Sequence, residues 1–175
     1  MNKWVVVIFP QFEQSYLIEQ LRQQFDPLAS KVKAHITLLS PFESALDKTQ
    51  LRSLLEQSLQ HTQPFNIKLQ GITGHENEYL FLNVKRGNDE LIQMRDSCYN
   101  GPLEFCLRPQ YTYIPHLTLG RLVDEEDFLE ALERVRGMRS AFETQVTEIS
   151  AYKIHDNGER TVEFSVSLCN PYKGW

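Results

Sequence analysis

Short runs of consecutive apolar residues along this chain give way repeatedly to stretches whose apolar positions recur every three or four residues. Residues 3–9 (KWVVVIF) are apolar, rich in β-branched side chains and closed by Pro10, the pattern of a buried strand. From about Gln11 onward, Leu17, Ile18, Leu21 and Phe25 share one helical face, and the helix is expected to end before Pro27. Residues 32–39 (VKAHITLL) predict a second strand, after which Asp47 caps a helix carrying Leu51, Leu54, Leu55 and Leu59. Residues 65–72 and 79–84 predict a strand pair, and Leu91, Ile92, Met94, Arg95 and Cys98 a third helix. A strand over about 114–121 follows, then a helix capped by Asp124, carrying Phe128, Leu129, Leu132 and Val135 and stopped by Gly137. The chain closes on a long hairpin, about 142–154 and 160–168, for which Asn157-Gly158 predicts a type I′ turn. Strands mixed with helices and several hairpin-like neighbours imply an α+β class rather than a doubly wound parallel sheet.

Composition narrows the function classes. The 175 residues contain no low-complexity segment, charged tail or Gly/Ser linker, so residues 1–175 read as a single domain with its own core. A net charge of −5 argues against a long nucleic-acid footprint, yet leaves room for a small anionic ligand in a locally positive pocket. Cys98, Cys106 and Cys169 are odd in number and lack metal-ligand spacing, which suits a reducing compartment. The apolar run Trp4 to Phe9 is too short for a signal segment or a membrane span. A monomeric cytoplasmic protein without a membrane partner is the expectation.

One tetrapeptide occurs twice. His35-Ile36-Thr37-Leu38 and His116-Leu117-Thr118-Leu119 share the order His, aliphatic, Thr, Leu, 81 positions apart in a chain with five histidines. On a strand, side chains alternate faces, so His35 and Thr37 share one face about 7 Å apart while Ile36 and Leu38 point into apolar packing. His116 and Thr118 repeat the arrangement against Leu117 and Leu119. Two half-domains related by a pseudo-two-fold would bring both pairs to one cleft. Two imidazoles and two hydroxyls around an anion suit phosphodiester cleavage. One imidazole activates the attacking oxygen, the other protonates the leaving oxygen, and the hydroxyls stabilise charge on the non-bridging oxygens. No metal or other cofactor is required by this chemistry, and no carboxylate–histidine cluster has ligand spacing.

The segments HITLLSPF (35–42) and PHLTLGR (115–121) resemble the two motifs of the two-histidine (2H) phosphoesterases, which include the 2′-5′ RNA ligase-like proteins and RNA 2′,3′-cyclic phosphodiesterases. The resemblance extends over nearly the whole chain in element order and motif separation. It departs at Lys33-Ala34, where many relatives have proline before the first motif; Pro115 is kept before the second. The resemblance implies a bilobal pseudo-two-fold fold, two antiparallel sheets flanked by helices around a central cleft. It also implies metal-independent hydrolysis of 2′,3′-cyclic phosphate RNA ends or small cyclic nucleotides, with His35 as acid and His116 as base. The same four residues would support 2′-5′ ligation or its reversal, and a non-catalytic binder of nucleotides or RNA ends is the rival from another class.

Three further residues are candidates for substrate contact. Arg121 lies five residues beyond His116, an odd offset that needs a bulge or a strand end to reach the cleft face. Lys33 shares the parity of His35 and Thr37 and would add positive potential, and Tyr113 could stack on a base. His61, His75 and His155 read as exposed bystanders.

Overall fold

A computed structural model describes residues 1–169. In chain order the elements are β1 (Asn2–Ile8), α1 (Ser15–Phe25), β2 (Ile36–Ser44), α2 (Lys48–Ser58), β3 (Phe65–His75), β4 (Tyr79–Arg86), α3 (Asn88–Tyr99), β5 (His116–Arg121), α4 (Glu125–Val135), β6 (Ala141–Val146), β7 (Glu148–Ile154) and β8 (Arg160–Ser167). A single 3₁₀ turn, Glu104–Cys106, interrupts the long connection from α3 to β5. The class is α+β, as its segment pattern predicts.

The strands form one antiparallel sheet in the order β6-β3-β4-β5-β2-β1-β7-β8. The two expected sheets are its halves, four strands each, and the motif strands β5 and β2 meet at the junction through a single paired position, Ile36 with Leu117. One face of the sheet is covered by all four helices. Ile18 and Phe25 of α1, Leu51 and Leu55 of α2, Leu91 and Met94 of α3, and Phe128 and Ala131 of α4 join Ile36, Leu38, Leu117 and Leu119 in one core. The helices cross between halves: α1 connects β1 to β2 but packs on β5, while α3 connects β4 to β5 but packs on β2. Gly120 permits the first crossing, since a Cβ there would lie 2.6 Å from Phe25 Cβ. The opposite face of the first half carries a smaller apolar cluster, Val5, Val7, Val32 and Tyr152, roofed by the segment that leads to His35.

Caps follow the sequence closely. Asp47 accepts from the Gln50 amide and Gln50 reciprocates, and Asp124 accepts from the Glu126 and Asp127 amides. Elsewhere the structure corrects the expectation. The strand expected from residue 32 begins at Ile36 and runs through Pro41 to Ser44, with Pro41 accommodated where the pairing with β1 slips register. The long strand 142–154 is two strands: β6 pairs with β3 and β7 with β1, so the chain passes from one half to the other at Thr147. The terminal turn is not type I′, because φ is positive at Gly158 but not at Asn157. Gly158 N–H donates to the His155 carbonyl and His155 N–H to that of Glu159, a type I turn completed by a glycine bulge. The type I′ conformation falls instead at Glu76-Asn77, both at positive φ, which makes His75 the last residue of β3 rather than a loop residue. Gly137 follows α4 without entering the left-handed region.

Candidate active site

In an antiparallel pair, residues directly opposite project to the same face. Ile36 and Leu117 are both fully buried in the helix-covered core. One step along that register sets Thr37 across from His116 and His35 across from Thr118, all four on the face that the helices leave uncovered. Thr37 and His116 line a common hollow, and the Tyr113 hydroxyl donates to the Thr37 carbonyl, 3.0 Å away, from the segment preceding His116. The structure therefore brings the four motif residues together.

The duplicated tetrapeptide is also a duplicated backbone irregularity. In β5, Thr118 pairs with Phe81 and Gly120 with Leu80, so Leu119 is an extra residue with no partner on β4. In β2, Thr37 pairs with Val7 and Leu39 with Val6, and Leu38 is the extra residue. Both bulges fall on the fourth residue of the motif, where side-chain parity inverts. The inversion buries Leu38 with Leu39, and Leu119 with Gly120. It also meets the condition set for Arg121, which pairs with Tyr79 and thus shares the face of Phe81 and Thr118. Its guanidinium is exposed and donates to Glu78 at 2.5 Å.

Each imidazole is oriented in the same way. His35 Nδ1 lies 2.7 Å from the Lys33 carbonyl and His116 Nδ1 2.6 Å from that of Ile114, two residues back in each case. A carbonyl oxygen only accepts, so Nδ1 carries the proton on both rings and Nε2 is the nitrogen that exchanges one. Burial holds both imidazoles below the ordinary histidine range of 6.5, against the carbonyl contacts, which raise it. His35 is set between the edges of Phe9 and Tyr152, with ring centroids 6.0 and 6.1 Å away. His116 stacks on Phe81 at 3.5 Å, and Phe81 stacks in turn on His75 at 5.1 Å.

A buried ionic network fixes the approach to His35. Arg22 of α1, 1% exposed, pairs with Glu19 and Asp26 and donates to the Val32 carbonyl at 2.9 Å. Glu19 accepts from the Ala34 amide at 2.8 Å. A proline at position 34 would have no N–H to offer, so the departure from the motif pattern is the donor that this network uses.

The full pattern agrees with known proteins. The family model of the 2′-5′ RNA ligase superfamily matches residues 9–158. The chain belongs to the 2′-5′ RNA ligase superfamily. Among relatives of this superfamily of phosphoesterases, a candidate phosphoesterase of Bacillus mycoides is 28% identical over 93% of this chain and 95% of that one. Another from Bacillus pumilus is 23% identical over 91% and 94%. Among solved structures, a phosphoesterase has a TM-score of 0.65 at 14% identity, covering 97% of this chain and 100% of that chain. E. coli LigT complexed with 3′-AMP has a TM-score of 0.61 at 17% identity over 97% and 99%. These structures share the fold of the superfamily.

The remaining candidates divide. Lys33 orients His35 through its carbonyl, while its exposed side chain lines the hollow beside Phe9. Tyr113 is not an open stacking surface: its hydroxyl is engaged by Thr37, and Arg95 lies 4.7 Å over its ring. Half-buried, it braces the second motif against β2. His75, read as a bystander, belongs to the stack on His116. Phe81, Tyr152 and the Glu19–Arg22–Asp26 network escaped sequence reading. Phe81 sits at an alternating position of a strand that could equally have faced the core, and nothing local in α1 marks Arg22 as buried. Arg95, seated between the rings of Tyr99 and Tyr113 at 4.7 Å each, lines the hollow that holds Thr37 and His116. Among the described residues no three His, Cys, Asp or Glu side chains gather at metal-binding distance, and no helix is long and apolar enough to cross a membrane.

Proposed function

We propose that this protein hydrolyses cyclic phosphodiesters, either 2′,3′-cyclic phosphate RNA ends or small cyclic nucleotides, with His35 and His116 as acid and base and no metal. The observation that supports this most directly is the matched pair of Nδ1–carbonyl contacts, which leaves Nε2 as the working nitrogen of both rings. His116 Nε2 takes a proton from water as its oxygen bonds to phosphorus. The bond from phosphorus to a ribose oxygen breaks, and that oxygen takes the proton from His35 Nε2. The Thr37 and Thr118 hydroxyls donate to the non-bridging oxygens as their charge grows. Solvent exchange then returns each ring to its starting state. Phe81 and Phe9 keep the rings from turning away from this geometry.

The test is turnover of nucleoside 2′,3′-cyclic phosphates and of oligonucleotides with cyclic-phosphate ends, in the presence of chelator. Activity that survives chelation and disappears in His35→Ala and His116→Ala is the expected result. Loss on chelation with rescue by zinc or manganese would assign another mechanism. Nucleotide binding without turnover of any such substrate would assign a binding protein, and 2′-5′-linked products from cyclic-phosphate and 5′-hydroxyl ends would assign ligation.

A further inference from the structure

Beside His35, on the uncovered face of the first half, lies a hollow of about 370 Å³. Its walls include Phe9 and Tyr152, the two rings that flank His35, together with Lys31, Lys33 and Arg160. Three cations thus converge on one hollow of a chain whose net charge is −5, opposed there by Glu148 alone among its lining residues. Arg160 is held in place: Nη1 donates to the Gly158 carbonyl at 3.0 Å, and the guanidinium lies beside the Tyr152 phenol. Its Nε is buried without a hydrogen-bond partner among the described residues. With Lys31 and Lys33, the anchored guanidinium gives the hollow an excess of positive charge that suits an anion.

On the proposed function, His35 protonates the leaving ribose oxygen, so the nucleoside lies on its side of the phosphorus. We infer that this hollow receives the 5′-phosphate of that nucleotide, with Arg160 and Lys31 as its partners and the apolar wall of Phe9 and Tyr152 against the sugar and base. The inference rests on the function proposed above, and goes beyond it by assigning a second anionic subsite and a preference for 5′-phosphorylated or 5′-extended substrates. The volume falls within the range usual for small-ligand pockets.

The experiment is calorimetric titration with two product-like ligands, adenosine 2′-monophosphate and adenosine 2′,5′-bisphosphate. Charge-assisted contacts to a second phosphate should make the bisphosphate bind tighter by on the order of 10-fold. Arg160→Gln should remove most of that margin and Arg160→Lys less of it. Lys31→Ala, at an exposed position and keeping the backbone hydrogen bond to Leu28, should narrow it as well. Equal affinity of the two ligands for the unaltered protein, or a margin untouched by all three substitutions, overturns the subsite. Failure of both ligands to bind while cyclic phosphates are still turned over overturns the subsite alone, whereas absence of turnover as well overturns the proposed function.

Discussion

Ile36 and Leu117 form the single paired position between the two motif strands, and both are fully buried. Every catalytic candidate is placed by that pair. Its two apolar side chains enter the core beneath the helices, and the neighbours on either side, His35 with Thr118 and Thr37 with His116, are turned to the other face by strand alternation. The half-domains touch at few backbone points here, so their relative position depends on the helices that cross between them.

Loss of either imidazole should therefore remove chemistry rather than structure. His35→Ala and His116→Ala are each expected to reduce kcat/KM by about 10²- to 10⁴-fold, with thermal melting little changed because both rings sit at the uncovered face. The double substitution should be little worse than either single one, as residues acting as a unit behave. Turnover within a few-fold of the unaltered protein for both single variants would remove the acid–base assignment.

The pH dependence has a defined sign. Burial lowers both imidazoles from the ordinary 6.5, so kcat/KM should be bell-shaped with its maximum on the acid side of that value. Stability follows from the same shifts. The unfolded chain protonates near 6.5 while the folded rings resist, so the unfolded state binds more protons and stability falls as pH drops below 6.5. Melting temperatures of the unaltered protein and of a variant lacking both histidines should lie close together at pH 7.5 and separate at pH 5.5, where the unaltered protein loses more stability.

Gly120 tests the coupling of the halves. A Cβ there would meet Phe25 Cβ at 2.6 Å and the Phe25 carbonyl at 3.1 Å, so α1 must shift away from β5. Gly120→Ala should cost about 1–3 kcal/mol, the range for overpacking a tight site, measured by denaturant unfolding. A neutral effect would show that the crossing helix has slack.

A proline at position 34 is expected to be harmful here. Ala34→Pro removes the N–H that Glu19 accepts, leaving a carboxylate oxygen of the Arg22 network without its partner. A cost of about 1–3 kcal/mol is expected, with kcat falling more than KM rises because His35 loses its support. Unchanged kcat would mean that the Lys33 carbonyl orients the ring by itself.

Arg121 and Glu78 offer a test of competition. The bulge at Leu119 puts Arg121 on the face of His116, where Glu78 holds its guanidinium. Arg121→Gln should raise KM, and Glu78→Gln, by freeing the cation for substrate phosphate, should lower it. Opposite signs in steady-state kinetics support a substrate contact, whereas no change in either variant leaves the pair as a surface ion pair of little consequence.

The local features of this protein were legible in its residues alone. Strand periodicity identified both motif strands and the shared faces of each His and Thr, because alternation is set by neighbours one and two residues away. Asp47 and Asp124 were legible as caps for the same reason, since a cap bonds to amides within its own first turn. Other features depend on residues far apart in the chain and were settled by packing. Nothing local distinguishes a continuous strand 142–154 from one that changes partners at Thr147. Nor does parity counting reveal the bulges at Leu38 and Leu119, which exist only relative to β1 and β4. The burial of Arg22, the ring of Phe81 against His116 and the meeting of the motifs at Ile36 and Leu117 arise from packing between segments that the sequence leaves unconnected.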